Sequence, residues 1–227
     1  MRLDPSDGDI QNKIASLEPV TGYCVLVDIV DSTALKDLER REWLSQTINT
    51  LTLAQSYLAS FDRPLKVMGD ALMFYISETP LTNTKPALTL FLGLCYLVQE
   101  KERGVFGATK AAVAYCLDVY PVSIATDARD FYGKDIDLTA RLLSVAGEGE
   151  IVMNEEFTKK VKGDYAEVAA KSDFPDVPSI MGPWPQRFKG FADYVKIYKL
   201  PAGGKSFDVA ARKGLVLPTE SHLRRNK

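Results

Sequence analysis

Two apolar segments, each closed by an aspartate, set what this chain can become. Val20 to Val27 reads VTGYCVLV, a β-branched and aromatic run with a glycine near its start, which is the pattern of a central strand. It ends in Asp28. Leu65 to Ile76, LKVMGDALMFYI, is two strand-like pieces folded about Gly69-Asp70, the pattern of a hairpin. If these strands are neighbours, both carboxylates reach one point. Two aspartates with no histidine beside them suit hard, oxygen-seeking Mg²⁺ or Mn²⁺ rather than zinc. Such a pair can hold two ions ~3.5–4 Å apart, the arrangement used for in-line phosphoryl displacement.

After Asp28 the chain turns through Ile29, Val30 and Asp31. Ser32 and Thr33 then offer N-caps to a helix whose apolar residues Leu35, Leu38, Leu44, Ile48 and Leu51 continue towards Tyr57. Free backbone N–H groups at such a helix start favour a triphosphate, which makes Ile29, Asp31, Ser32 and Thr33 candidate phosphate-binding residues. Pro86 to Lys101 reads as a buried helix, and Ala111 to Val122 as a strand. Lys134 to Ala146 is an amphipathic helix with Leu138, Leu142 and Leu143 inward. Asp137 and Arg141, spaced i,i+4 on that helix, share one face, either as an intrahelical salt bridge or as two groups presented outward.

Ile151 to Met153 is a short strand, and Asn154 caps a short helix. Ser172 to Pro185 holds four prolines and reads as a surface loop, Tyr194 to Leu200 alternates like an edge strand, and a basic tail follows Pro201. The expected organisation is an N-terminal segment, 1–19, one domain over 20–200, and a tail over 201–227.

Composition removes several classes of function. The 227 residues suffice to bury a core without staples. The three cysteines, Cys24, Cys95 and Cys116, sit among apolar neighbours as reduced thiols would in a cytoplasmic protein. His222 is the single histidine and lies in the polar tail, which leaves Ser/His/Asp triads, Cys/His pairs and multi-histidine zinc sites without their central residue. A net charge of -2 gives no global attraction to nucleic acid or anionic lipid, so an anionic ligand must be held locally. The N-terminus has no signal-peptide pattern. The longest uncharged stretch, Pro86 to Gln99, is shorter than the ~20 residues of a membrane helix.

With these residues in place the sequence resembles the class III nucleotidyl cyclases, from Gly22 to Leu200. VDIVDST is similar to that family's strand-end metal motif and KVMGDALM to its second hairpin. DFYGKDIDLTAR is similar to the stretch carrying a base-reading, a ribose-orienting and a transition-state residue. FKGFADYVKIYKL resembles the closing segment. Motifs agreeing in order over this length are specific where one alone is weak.

The resemblance implies an α/β (α+β) fold with a ferredoxin-like core, an antiparallel sheet flanked by helices. It implies Asp28 and Asp70 as ligands of two Mg²⁺ or Mn²⁺ ions, Lys66 and Asp130 as base readers, Asp137 as the ribose residue where the family usually has Asn, and Arg141 on the transition state. Lys189 could face the triphosphate, although the family's lysine falls two positions on, at Phe191. It also implies a homodimer with active sites shared between chains. The activity implied is conversion of a nucleoside triphosphate to a 3′,5′-cyclic nucleotide and pyrophosphate.

Lys66 as donor and Asp130 as acceptor match adenine, and equally uracil or cytosine, so pocket size decides and Phe131 is the candidate that narrows it. The compact form is similar to the pyrimidine cyclases of bacterial Pycsar anti-phage systems, whose product is read by a separate effector. An ATP-specific adenylate cyclase is the alternative, and an inactive nucleotide-binding regulator or a paired-aspartate phosphotransferase are the readings from other classes.

Overall fold

The computed structural model describes residues 9–38, 40–58, 66–78, 85–99, 108–122, 130–171 and 177–202. In chain order these form α1 (Ile10–Ala15), β1 (Val20–Ile29), α2 (Ser32–Leu38), α3 (Arg40–Leu58), β2 (Lys66–Met68), β3 (Ala71–Ser77), α4 (Pro86–Gln99) and β4 (Thr109–Val122). They continue with β5 (Asp130–Tyr132), α5 (Lys134–Ser144), β6 (Glu150–Asn154), α6 (Glu155–Ala170), β7 (Met181–Gln186) and β8 (Val195–Pro201). The strands form one sheet in the order β2-β3-β1-β4-β6-β8-β7, with β5 paired to the far end of β4. All pairings are antiparallel except β4 with β6. This is the antiparallel sheet with flanking helices that the sequence led us to expect.

Alternation along β1 splits its side chains between two cores, as a sheet covered on both faces requires. Tyr23, Val25 and Val27 pack with α3, α4 and α6, whereas Cys24 and Leu26 pack with Leu138 and Leu142 of α5. Three helices cover the first face. Among the described helices, the second has α5. Burial pushes the Cys24 thiol up to about 12, and all three cysteines are free and buried, as core thiols should be.

Gly22 is needed where β1 meets β3, because a Cβ there would lie 2.3 Å from the Ile76 carbonyl oxygen. Gly69 turns the β2–β3 hairpin at φ +67, in the left-handed region that favours glycine. Asn154 caps α6 as expected: its Oδ1 accepts the Phe157 N–H at 2.9 Å and the Tyr115 N–H at 3.1 Å, while its Nδ2 donates to the Tyr115 carbonyl.

Several expectations are corrected. The helix after Asp31 is two helices, and Leu44 and Ile48 are 49% and 54% exposed. The inward stripe of α3 is instead Thr47, Thr50, Leu53, Ala54 and Leu58. Small residues there let the helix approach α4, where the Cβ position of Gly93 lies 3.4 Å from the Tyr57 carbonyl. The helix after Asn154 runs for 16 residues rather than a short stretch. The proline-rich loop contains a strand, β7, which tolerates Pro183 and Pro185 because it is the outermost strand. Consequently β8 is interior, between β6 and β7, and not an edge. The expected tail beyond Ala202 and segments 1–8 and 172–176 lie outside the described residues. No described helix is long and apolar enough to cross a membrane.

Candidate active site

Register brings the two aspartates together. Asp28 pairs with Ala71 across β1 and β3, so Asp70, one residue earlier in the hairpin turn, lies beside the end of β1. The strand runs one residue past Asp28, which leaves the carboxylate on the sheet rather than in the turn. By two-residue alternation it falls on the face of Cys24 and Leu26, the side carrying α5.

Burial pushes the Asp28 carboxyl up, and the neighbouring Asp70 charge adds to the rise; the Lys110 ammonium and the Ile29 N–H oppose it. Like charges held this close are a site that favours a cation. Both donors are carboxylate oxygens, and among the described residues no three His, Cys, Asp or Glu side chains cluster. The residues therefore fit Mg²⁺ or Mn²⁺ held by two carboxylates, with the remaining ligands coming from water and substrate phosphates.

The turn from β1 to α2 places the candidate phosphate-binding residues next to the aspartates. Ile29 closes β1 and is buried. Asp31 has φ 55, a left-handed backbone uncommon for a residue with a side chain. Ser32 and Thr33 open α2. Ser32 does not spend its hydroxyl on capping. It is 6% exposed, and its Oγ donates to Asp70 Oδ2, which fixes that carboxylate towards the end of β1.

The sequence reading missed Lys110. Its Cα pairs with that of Asp28 across β1 and β4, and its Nζ lies 3.3 Å from Asp28 Oδ2. The strand was expected to begin at Ala111, so Lys110 fell outside it. The available signal was alternation, since Lys110 shares a face with Ala112, Ala114 and Cys116.

The second group lies on the same hairpin. Lys66 pairs with Met73, whose side chain belongs to the α5-side core, so Lys66 shares that face. Its ammonium forms an ion pair with Asp130 Oδ1 at the start of β5. That oxygen is shielded from solvent and receives no hydrogen bond of good geometry. Phe131 is half-buried, with its ring 4.3 Å from that of Tyr75 between centroids, so it packs on the sheet directly after the base-reading candidate.

Asp137 and Arg141 are exposed on α5. Among the described residues no hydrogen bond or ion pair joins their side chains to each other or to either group above. The intrahelical salt bridge is thus not made, and both are presented outward. Lys189 is exposed as well, and Phe191, two positions on, packs against Phe188 and receives the Lys134 ammonium 5.3 Å above its ring. One chain therefore assembles two polar groups, Asp28–Asp70–Ser32–Lys110 and Lys66–Asp130. It leaves Asp137 and Arg141 apart from both.

No family model matches the sequence, and no curated protein matches it. Solved structures do. The adenylyl cyclase CyaB from P. aeruginosa superposes with a TM-score of 0.61 at 19% identity, over 82% of this chain and 95% of that one. An adenylate cyclase from Trypanosoma brucei gives 0.63 at 15% identity, over 86% and 94%. The guanylyl cyclase Cya2 gives 0.58 at 16% identity, over 85% and 98%. At these identities the likeness is one of fold: a mixed α/β architecture with a mainly antiparallel sheet, shared over more than four-fifths of the chain.

Proposed function

We propose that this chain is a nucleotidyl cyclase, converting a nucleoside triphosphate to a 3′,5′-cyclic nucleotide and pyrophosphate. The observation that carries the reading is the register of β1 with the β2–β3 hairpin, which sets Asp28 against Asp70 on a fold shared with adenylyl and guanylyl cyclases. In the reaction the substrate's 3′-hydroxyl gives up its proton to solvent, its oxygen attacks the α-phosphorus, the bond from that phosphorus to the α,β-bridging oxygen breaks, and pyrophosphate departs with the electron pair.

Asp28 and Asp70 hold two Mg²⁺ or Mn²⁺ ions. When bound, these supply a lowered pKa at the 3′-hydroxyl and positive charge near the leaving pyrophosphate. The Ile29–Thr33 turn lies beside the phosphates. Lys66 donates to the base and Asp130 accepts from it; their mutual ion pair keeps both oriented until a base separates them. Asp137 accepts from a ribose hydroxyl, and Arg141 stabilises charge in the transition state.

Arg141 and Asp137 are exposed and, among the described residues, bonded to neither aspartate, which leaves them free to serve the site of a second copy. We infer a homodimer in which each site takes Asp28 and Asp70 from one chain and Lys66, Asp130, Asp137 and Arg141 from its partner. The exposed Leu117, Tyr120 and Tyr132 of the β4–β5 arm are apolar surface that a second copy would cover.

For the base we favour a pyrimidine, UTP or CTP, with Phe131, which follows Asp130 in β5 and packs its ring on Tyr75, as the residue that narrows the pocket. In that reading the cyclic nucleotide is a cytoplasmic signal in anti-phage defence, read by a separately encoded effector. The second reading is an ATP-specific adenylate cyclase, favoured by the adenylyl cyclases among the similar structures. Incubation with each of ATP, GTP, CTP and UTP plus Mn²⁺, with chromatography of the products, tests both. We expect a cyclic pyrimidine nucleotide and pyrophosphate in equal amounts, and Phe131→Ala should admit purines with a preference change of ~10- to 200-fold. Dominant turnover of ATP would replace the pyrimidine reading. Turnover of none of the four would remove the cyclase.

A further inference from the structure

The paired aspartates already have a cation. Lys110 stands directly across the β1–β4 ladder from Asp28, with its ammonium 3.3 Å from Oδ2. The two side chains are 23% and 22% exposed, so the pair is held by the sheet and is not a loose surface contact. Among the described residues, Lys110 is the one basic side chain paired with either aspartate. Asp70 is meanwhile held by the Ser32 hydroxyl.

We propose that Lys110 is a built-in counter-ion that makes binding of a divalent cation at Asp28 and Asp70 conditional on the nucleotide. The proposal rests on the cyclase reading of these aspartates and adds a role for a residue outside it. A bare Mg²⁺ or Mn²⁺ must either share Asp28 Oδ2 with the ammonium, which sets two cations within a few ångströms in a partly buried setting, or expel the ammonium and break its ion pair. Among the described residues the protein offers that ion two carboxylates. A triphosphate changes both sides of this balance: it brings further oxygens to the metal and a negative partner for the displaced ammonium, whose flexible four-carbon stem can follow it. Metal and nucleotide therefore bind with positive coupling, and the free protein stays poor in metal.

The test is made on the full chain. Free Mn²⁺ is titrated by its electron paramagnetic resonance signal, and 3′-deoxy-UTP and 3′-deoxy-ATP, which cannot cyclise, are measured by equilibrium dialysis at saturating Mn²⁺. Lys110→Met should bind Mn²⁺ alone roughly tenfold more tightly than wild type and the 3′-deoxy nucleotides roughly tenfold more weakly. Lys110→Arg, which keeps the charge, should resemble wild type in Mn²⁺ binding. Lys110→Gln, with circular dichroism on each variant, guards against a folding defect of the methionine variant. Unchanged or weaker Mn²⁺ binding in folded Lys110→Met and Lys110→Gln overturns the counter-ion role and leaves the cyclase reading standing. If the gain in Lys110→Met survives in Lys110→Met/Asp28→Ala, the ion sits elsewhere, and the aspartate metal site itself fails.

Discussion

Asp28 and Asp70 show how a single position can be costly to fold and needed for function. Burial and the neighbouring charge raise the Asp28 carboxyl, a penalty that a core residue would not carry. Asp70→Ala removes the like charge from beside Asp28 while losing one hydrogen bond from Ser32, two effects of opposite sign. We expect thermal stability to stay within about 1 kcal/mol of wild type and cyclase turnover to fall at least ~100-fold. Retained activity in a folded Asp70→Ala protein would remove the two-metal mechanism. Lys110, invisible to motif reading, emerges at this scale only because a ladder pairs it with Asp28.

At the scale of elements, α6 is fastened to the sheet at the end opposite the aspartates. The Lys160 ammonium of α6 sits 3.0 Å from Glu78 Oε1 and 3.9 Å from the Tyr115 ring centroid, while the Tyr23, Tyr115 and Thr21 hydroxyls also reach Glu78. Burial pushes the Glu78 carboxyl up, but the hydrogen bonds from Tyr115, Lys160 and Tyr23 and the Lys160 charge outweigh it and hold the group below its usual 4.5. A depressed carboxyl pKa stabilises the fold above the unfolded value, and that stability is lost as the pH falls through and below 4.5. Glu78→Gln should therefore be less stable than wild type at pH 7 and approach it near pH 3, measured by urea unfolding across the range. A gap that is constant from pH 7 to pH 3 would show that Glu78 acts by packing alone.

For the whole molecule, the decisive feature is the asymmetry of the sheet. One face lies under α3, α4 and α6, and the other carries α5 together with Asp28, Lys110 and Lys66. A shared site predicts complementation: Asp28→Ala and Arg141→Ala, each inactive alone, should regain activity when mixed under conditions of subunit exchange. A mixed dimer has one intact site of two, which puts recovery near a quarter of the wild-type rate at equal mixing if exchange is random. No recovery with exchange demonstrated by mass spectrometry would place both residues in one chain's site.

The sequence by itself determined the elements whose pattern is local: the apolar β1, the Gly69 turn of the hairpin, the uncharged α4, the amphipathic α5 and the Asn154 cap. It also singled out Asp28 and Asp70 as two carboxylates that would meet if their strands were neighbours, and the β1–β3 pairing makes them so. Tertiary structure alone decided what depends on a partner element. Which stripe of α3 turns inward is set by close approach to α4, so Leu44 and Ile48 lie outside while Thr47 and Thr50 lie inside. Whether β8 is an edge depends on β7, which forms from a proline-bearing segment because an outermost strand can leave those nitrogens unpaired. Lys110 gains its meaning from a residue 3.3 Å away in space and distant in sequence, and no local pattern encodes the register that puts it there.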